Sequence, residues 1–405
     1  MSQHSMRLGG NEKGLKNIIQ GASGGPWAHA YPHFALPGPQ IGFLQEILRW
    51  WDYWLKGVDT GVMDEPMLRA WMTESVKPAT RHDTLPGRWI AEPSWPPQTV
   101  TTRRLFLTDA GLRETSGPLT ARAVCSPQTL RGFSGEWVPF GRGRDQPGDQ
   151  QEDDARSLTF ETPPLDTPIE ILGAPVVTLD VASDRPIANL MVRLCDVHPS
   201  GESLRVSYGV LNLTHRESHE QPTLLAIGER YRVRIQLNDA GSVFPPGHKV
   251  RLAISTDYWP MIWPSPETAT VQIFAGTLDL PQRSPNVADG KLPPFLEPET
   301  ASAEKPTILH RDGVRVERID RIGLELGTQW KSQYHVEENG PLSAVAELRN
   351  IQTVSRNEWQ IRVETPMRLS STGNAFLLQG SLSAWEGANE VCRRDWDRSI
   401  PREFS

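Results

Sequence analysis

Short runs in which apolar and polar side chains alternate are the feature that most constrains the fold of this chain. The clearest runs cover residues 231–237 and 250–255, and further runs lie at 177–181, 190–194 and 207–213. Successive side chains of a β-strand point to opposite faces of the sheet, so each run predicts a strand. The 35 prolines and 33 glycines place turns between the runs and leave few stretches with a helical period. The pattern predicts a mainly β chain whose middle part is an antiparallel sandwich or jelly roll.

One segment near the N-terminus has a helical period instead. Apolar residues recur there at spacings of three and four, namely Ile41, Leu44, Leu48, Trp51 and Leu55. Pro39 suits the start of a helix, and Lys56 with Gly57 suits its end. The spacing therefore predicts a helix with one apolar face.

Charge and cysteine content limit the classes of partner. The formal net charge is −7 over 405 residues with both signs mixed, which argues against binding to nucleic acid or to an anionic membrane. The cysteines Cys125, Cys195 and Cys392 are far apart and form no Cys-x-x-Cys pair, so we expect reduced thiols and no zinc site. No apolar stretch has the length of a signal-peptide core or a membrane span. These features predict a cytoplasmic chain without a cofactor, a bound metal or a membrane partner.

The best candidate for catalytic chemistry is His29, which ends the segment Gly-Pro-Trp-Ala-His at residues 25–29. A histidine on a loop ahead of an amphipathic helix can act as a general base. A lone histidine is more often a structural residue, and the residues alone leave both interpretations open. No aspartate precedes Asp52, and Glu12 is the only carboxylate ahead of His29. If His29 belongs to a catalytic triad, most of that triad is missing.

Ser23 lies in a segment, residues 21–25, that matches the Gly-x-Ser-x-Gly pattern of a nucleophile elbow. An elbow requires a buried strand before the serine and a helix after it. No strongly apolar run precedes Ser23, Pro26 follows almost at once, and no acid lies between Ser23 and His29. We therefore interpret Ser23 as part of a poorly ordered lead-in.

Three further groups carry weaker signals. The acidic residues within 145–154 offer oxygen ligands for calcium but lack the spacing of a defined calcium loop, so a solvated charged turn is the preferred interpretation. His215 and His219 are four residues apart in a polar stretch without a helical pattern, and they form a weak metal pair. Tyr258, Trp259 and Trp263 follow a predicted strand. These aromatic residues either line a pocket at the end of the sandwich or plug that end, and the sequence does not distinguish the two.

Five segments occur in an order that is informative as a set. They are the Gly-Pro-Trp-Ala-His loop at 25–29, the Trp-Trp-Asp-Tyr-Trp-Leu-Lys-Gly helix end at 50–57, and sandwich segments at 168–175, 205–213 and 245–264. Together they resemble the X-Pro dipeptidyl-peptidase and cocaine-esterase family of serine hydrolases, over about residues 25–405. The resemblance implies an α/β-hydrolase domain followed by a jelly-roll domain that helps to wall the active site. The final alternating segment resembles an extension carried by some bacterial members.

The resemblance also implies a role for His29, as the triad histidine and general base of a dipeptidyl-peptidase or esterase. We expect Trp27, Tyr258 and Trp259 to contact its small-molecule ester or peptide substrate. The family's nucleophile serine, oxyanion tyrosine and triad aspartate lie upstream of the His29 loop and have no counterpart here. We therefore expect this chain alone to be inactive.

Composition and resemblance together predict five segments along the chain. They are a non-family or disordered lead-in at 1–24, the C-terminal remnant of an α/β-hydrolase domain at 25–97, a jelly-roll (galactose-binding-like) domain at 98–283, a Pro-rich linker at 284–310 and a small antiparallel β extension at 311–405. The abrupt start of the resemblance predicts a truncated or frameshifted reading frame and a separately encoded N-terminal hydrolase half as partner. The alternative function is a non-catalytic jelly-roll module that binds a ligand or carbohydrate through an exposed Trp259 or Trp263.

Overall fold

The structure is a computed structural model that describes residues 26–130, 135–136, 138–141, 143–299, 307–311 and 314–405. The lead-in predicted at 1–24, with Ser23, lies outside the described residues. Among the described residues, no helix combines the length and the apolar character needed to cross a membrane.

The first part of the described chain forms helix α1 and five strands. Their bounds are Phe43–Lys56 for α1, Leu68–Thr73 for β1, Gly87–Glu92 for β2, Val100–Thr108 for β3, Gly111–Arg113 for β4 and Arg122–Val124 for β5. The middle part forms a short helix and nine strands. Their bounds are Gln151–Ala155 for α2, Leu158–Glu161 for β6, Ile169–Gly173 for β7, Val176–Ser183 for β8, Asn189–Val197 for β9, Ser203–Asn212 for β10, Tyr231–Gln236 for β11, Ala240–Phe244 for β12, Lys249–Ser255 for β13 and Val271–Arg283 for β14.

These strands form two sheets. The larger sheet has the order β11-β8-β14-β7-β12-β1-β2, with β3, β4 and β5 attached beside β14, and the smaller has the order β10-β9-β13-β6. Apolar side chains from both sheets share one hydrophobic core. Val177 and Leu179 of the larger sheet and Val192 and Ile254 of the smaller one are fully buried in it. The mainly β sandwich predicted from the alternating runs is confirmed.

Strand β9 departs from simple alternation because every one of its residues is buried. Its charged side chains have partners from other segments of the chain. Arg193 is hydrogen-bonded to the side chains of Gln150 and Ser157, and Asp196 to those of Ser75 and His248. A strand of this kind can carry buried charges only where such partners meet it.

The hairpin β1-β2 extends the larger sheet. Strand β1 contacts β12 in parallel at Thr73, opposite Ser242, and β2 pairs with β1 in antiparallel register. Side chains of both sides share a small core that includes Leu68, Ile90 and Leu172. The segment predicted as a hydrolase remnant at 25–97 thus contributes two strands to the sandwich sheet.

Helix α1 was predicted over Ile41–Gly57 and is present from Phe43 to Lys56. Gly57 ends it in the left-handed conformation, with a φ of 68°, where a side chain would be strained. The four residues of the predicted apolar face that lie in the helix are exposed, with exposed fractions from 49% at Trp51 to 74% at Leu55, whereas Ile41 precedes the helix and is buried. No element among the described residues covers this face. Soluble proteins rarely leave so large an apolar patch exposed to water.

The segment after β14 packs against the hairpin and the start of α1. Arg69 donates a hydrogen bond to the Pro293 carbonyl, and its guanidinium lies 3.8 Å from the centroid of the Phe295 ring. Gly42 donates its backbone hydrogen bond to the Leu296 carbonyl. The predicted Pro-rich linker is therefore attached to the domain over its described residues.

The C-terminal part forms a third sheet of seven consecutive antiparallel strands. Their bounds are Thr307–Arg311 for β15, Val314–Ile319 for β16, Leu324–Glu337 for β17, Gly340–Arg356 for β18, Trp359–Ser371 for β19, Ala375–Glu386 for β20 and Asn389–Pro401 for β21. The sheet packs on the sandwich where Trp259 meets Val336, Ala344 and Ala346. The antiparallel sheet predicted for the C-terminal part is present.

Candidate functional site

Backbone hydrogen bonds fix the loop that carries His29, and the His29 side chain takes no part in them. The His29 amide donates to the Pro139 carbonyl at 2.8 Å, and the Ala28 amide donates to the Leu36 carbonyl at 3.1 Å. The imidazole is exposed and meets the ring of Phe140 edge to face, with 5.4 Å between ring centroids. Among the described residues, no hydroxyl or carboxylate forms a hydrogen bond with the His29 ring. The ring is thus held in place with its polar atoms available.

His29 lines a cleft of about 1010 Å³ between its own loop and the sandwich. One wall comes from residues 26–34, and the opposite wall comes from the start of β10 and from residues 238–242, which span the turn before β12 and the start of that strand. The cleft is mixed in character, because aromatic rings lie beside charged groups. A cleft of this size is large enough for a small organic ligand.

The polar groups of the cleft come from both walls. Arg205 and Tyr208 on β10 lie together, with the guanidinium 4.6 Å from the ring centroid, and Asp239 lies near them on the turn before β12. On the other side, burial lowers the pKa of His82, which favours its neutral imidazole. The cleft therefore offers a guanidinium, several carboxyl groups and two imidazoles to a ligand.

Trp27 is the predicted substrate-contacting residue that the structure places beside His29. Its indole N–H donates to the Pro39 carbonyl at 2.8 Å, and its ring lies 6.1 Å from that of Trp89 on β2. The indole is therefore fixed while part of it lines the cleft. The hairpin β1-β2 supports the His29 loop through this ring contact.

Tyr258 and Trp259 lie elsewhere, inside the protein. Their exposed fractions are 0% and 1%. The Tyr258 hydroxyl lies within hydrogen-bond distance of two acceptors, Gln150 Oε1 and Asp153 Oδ2. Trp259 packs edge to face on Trp263 beneath the C-terminal sheet. Stacking on a ligand requires an accessible ring face, and neither residue has one. The prediction that Trp259 is exposed, made for a carbohydrate-binding module, is therefore wrong. Tyr258 and Trp259 fill the end of the sandwich instead of lining a pocket there.

The acidic residues within 145–154 were predicted to form a solvated turn. That prediction is wrong for the C-terminal half of the segment. Asp153 and Asp154 are buried in α2. Asp154 forms ion pairs with Arg193 at 2.9 Å and with Arg251 at 2.6 Å, and accepts a hydrogen bond from Ser203. The two arginines come from β9 and β13, so their positive charge compensates a burial that the local sequence does not reveal.

His215 and His219 are close but exposed. Their Nδ1 atoms are 3.3 Å apart at the surface. The described residues bring no third metal-ligating side chain to them. They remain a weak pair, as predicted.

A cluster that the sequence reasoning missed lies at the end of β9. Asp196, His198 and His248 each place one potential metal-ligating atom within 4.8 Å of the others. Ser75, two residues after β1, donates its hydroxyl hydrogen bond to Asp196 Oδ2 at 2.5 Å. The signal available in the sequence was the Asp-x-His spacing on a strand, which puts two side chains on one face.

Comparison with known proteins follows this geometry. Residues 60–313 match the X-Pro dipeptidyl-peptidase C-terminal non-catalytic domain. A protein of Mycobacterium bovis described as a putative serine esterase is 29% identical over 259 residues, which cover 57% of this chain and 39% of that protein. The cocaine esterase of Rhodococcus sp. is 26% identical over 186 residues, which cover 42% of this chain and 32% of that protein.

Solved structures show a related fold. An α-amino acid ester hydrolase superposes with a TM-score of 0.50 at 22% identity, over 64% of this chain and 49% of that one. This chain spans well under half the length of the curated relatives it matches. The match to residues 60–313 covers more than half of the chain, and it shows that the chain belongs to the family of X-Pro dipeptidyl-peptidase C-terminal non-catalytic domains.

Proposed function

We propose that this chain is the C-terminal part of a serine hydrolase that cleaves small esters or peptides, with His29 as its general base. The observation that carries the proposal is the position of His29, exposed at a cleft of about 1010 Å³ whose other wall is the sandwich. The relatives named as a serine esterase and a cocaine esterase support the reaction class. The sandwich, which we propose to be a jelly roll, supplies the wall that faces the substrate.

In this proposal the His29 imidazole takes the proton of a serine hydroxyl as the serine attacks the substrate carbonyl, and later returns it to the leaving group. An aspartate would fix the imidazole tautomer, and hydrogen-bond donors would hold the oxyanion. The described residues place no serine or carboxylate on the His29 ring. We therefore propose that both come from an N-terminal hydrolase half and that this chain alone does not turn over substrate.

The other cleft residues then bind and orient the substrate. Trp27 offers a fixed aromatic face beside the base, because its N–H is already bonded and its ring leans on Trp89. Arg205 and Asp239 offer charges on the opposite wall. A polar substrate end would meet these groups while the scissile bond lies at His29.

The apolar face of α1 is the surface that we propose the hydrolase half covers. Leu44, Leu48 and Leu55 are each more than half exposed. We further propose that residues 25–97 complete the hydrolase domain, that the jelly roll occupies residues 98–283, and that both act in the cytoplasm. Covering this face removes apolar surface from water, which stabilises the assembly by about 25 cal/mol for each Å² buried.

Reconstitution tests the proposal. The 405-residue chain would be purified alone and also co-expressed with a hydrolase segment from the coding region upstream, and each preparation would be assayed with p-nitrophenyl esters and a dipeptidyl p-nitroanilide. We expect a soluble complex with turnover, and no burst or turnover from the chain alone. A burst of product from the chain alone would refute the division of roles. An inactive complex in which the two parts fold and bind would refute the hydrolase assignment.

A non-catalytic binding module is the alternative, and the same experiment distinguishes it. Of the two tryptophans on which it rested, Trp259 is buried and Trp263 is partly buried beneath the C-terminal sheet. What would favour it is ligand binding in the cleft by a chain that never forms an active complex.

A further inference from the structure

We propose that Asp196, His198 and His248 form a binding site for a divalent transition metal of the zinc class. Each of the three offers one ligand atom, and these atoms lie within 4.8 Å of one another. Two imidazole nitrogens and one carboxylate oxygen are a donor set that suits Zn²⁺ or Co²⁺, whereas Mg²⁺ and Ca²⁺ prefer oxygen ligands.

The register of the small sheet explains why the three residues meet. Asp196 and His198 are two residues apart, and their side chains lie on the same face of the chain as it leaves β9. Lys249 of β13 is opposite Val197, so the preceding residue, His248, lies opposite His198. The two imidazole ring centroids are 4.5 Å apart. Gly247, with a φ of 81°, allows the turn that places His248 there.

The distances are close to those of a metal shell. His248 Nδ1 is 2.9 Å from Asp196 Oδ1, and Ser75 Oγ is 3.2 Å from His198 Nε2. Neighbouring ligands of a tetrahedral zinc at ~2.1 Å are about 3.4 Å apart. Because the three ligand atoms lie within 4.8 Å of one another, no pair has to close by more than about 1.4 Å, which small side-chain rotations can provide. Ser75 Oγ or a water molecule is placed to be the fourth ligand.

Charge balance at Asp196 also favours a cation. The carboxylate is only 1% exposed, and no lysine or arginine of the described residues lies within ion-pair distance of it. A buried carboxylate is costly without a positive partner. His248 balances it only when protonated, whereas a bound dication balances it with both imidazoles neutral.

The site also touches the segment that follows β1. Ser75 reaches Asp196 across 121 residues of sequence, and His198 Nε2 lies 3.0 Å from the Val76 carbonyl. Metal binding requires a deprotonated His198 Nε2, so the contact with Val76 gives way to the metal bond and the link through Ser75 remains. Glu74 and Val76, on either side of Ser75, line the cleft that contains His29. Through Ser75 the metal site would therefore connect this part of the cleft lining to the sandwich.

Metal titration of the full chain tests the proposal. The chain would be stripped with a chelator and titrated with Zn²⁺ against a chromophoric competitor, and with Co²⁺ followed by visible absorption. We expect one equivalent of metal, a cobalt spectrum of tetrahedral type, and a rise in Tm of about 5 °C or more at a hundredfold excess of zinc over Kd. A Kd for zinc weaker than about 1 mM would overturn the proposal.

Variants assign the site. His198→Ala and His248→Ala should each weaken zinc binding by about a hundredfold or more. The matched control is His215→Ala/His219→Ala, which removes an exposed histidine pair and should leave the affinity unchanged. Unchanged binding in the first two variants, or lost binding in the control, would overturn the proposal.

A measurement on the unaltered chain covers the case in which those variants fail to fold. X-ray absorption of the zinc-loaded chain should show scattering from two imidazole rings, and a shell without imidazole would overturn the proposal. All these readouts are obtained without substrate. Their outcome is therefore independent of whether His29 acts in a hydrolase.

Discussion

Arg283 at the end of β14 holds a buried ionic cluster, and replacing it with methionine should destabilise the protein strongly. Its side chain is 0% exposed. It donates hydrogen bonds to Glu92 at 2.6 Å and to both carboxylate oxygens of Asp289 at 2.8 and 2.9 Å. Glu92 ends β2, the strand that carries Trp89, so the cluster supports the hairpin on which Trp27 leans.

The expected magnitude follows from the burial of all three side chains. Arg283→Met leaves the Glu92 carboxylate, which is 0% exposed, and the nearly buried Asp289 without their cation. Breaking a buried ion pair by removing one partner costs about 3–5 kcal/mol. The matched control is Arg104→Met, which removes an exposed bidentate pair with Asp279, and water screens such a pair so that it contributes little to stability.

Urea denaturation followed by tryptophan fluorescence measures both variants. We expect the free energy of unfolding to fall by about 3–5 kcal/mol for Arg283→Met and to change little for Arg104→Met. Adding Glu92→Gln and Asp289→Asn to Arg283→Met removes the uncompensated charges and should recover part of the loss. Equal losses for the two single variants, or no recovery in the triple variant, would refute the reasoning.

Three further predictions concern the pH dependence, the surface of α1 and the thiols. Burial raises the pKa of Asp257 to about 7, so between pH ~4 and pH ~7 the native chain retains a proton that the unfolded chain releases, and stability falls as the pH rises. Asp257→Asn should abolish that fall in Tm profiles, and an unchanged slope would contradict the assignment. The exposed apolar face of α1 should promote self-association of the chain, and the double variant Leu48→Glu/Trp51→Glu should reduce it in light scattering. The free energy of unfolding should change by less than about 1 kcal/mol. Unchanged association would show that the α1 face is not responsible. Cys125 is exposed, whereas burial raises the pKa of Cys195 to about 12. A disulfide reagent should therefore modify Cys125 at once and Cys195 only after unfolding. Prompt labelling of Cys195 would contradict its burial.

Local patterns predicted the local structure well. Helix α1 was found from the spacing of its apolar residues, because that signal is contained in one segment. The strands β8 and β11 were found from their alternation, and they pair with each other in the larger sheet. The role of His29 stays a prediction that rests on a five-residue segment and the resemblance it carries.

Features that depend on pairing between distant strands were missed or wrong. The burial of Asp154 depends on Arg193 and Arg251, which reach it from two strands. The approach of His248 to Asp196 depends on the register between β13 and β9. A sequence read in order shows the residue types but not this register, so the acidic segment was interpreted as solvated and the histidine cluster was overlooked.

Strand pairing also crosses the predicted domain boundary near residue 97. The hairpin β1-β2 lies within the predicted hydrolase remnant at 25–97, yet β1 contacts β12 of the sandwich. Prolines and tryptophans cluster around residues 89–97, at the end of the predicted hydrolase remnant. Trp89 packs between Trp71 and Phe295 rather than lying in a free connector. Prolines mark turns reliably, but they do not show which sheet a neighbouring strand will join.

The most direct test of the account is the effect of His29→Gln on turnover by the reconstituted hydrolase, with His33→Gln as the control. His33 lies on the same loop and stacks on Phe43. If His29 is the general base, its replacement should lower kcat by on the order of 10⁴ while leaving complex formation intact, and His33→Gln should stay within about threefold of the unaltered chain. A His29→Gln complex that retains more than about a tenth of the kcat would contradict the central claim.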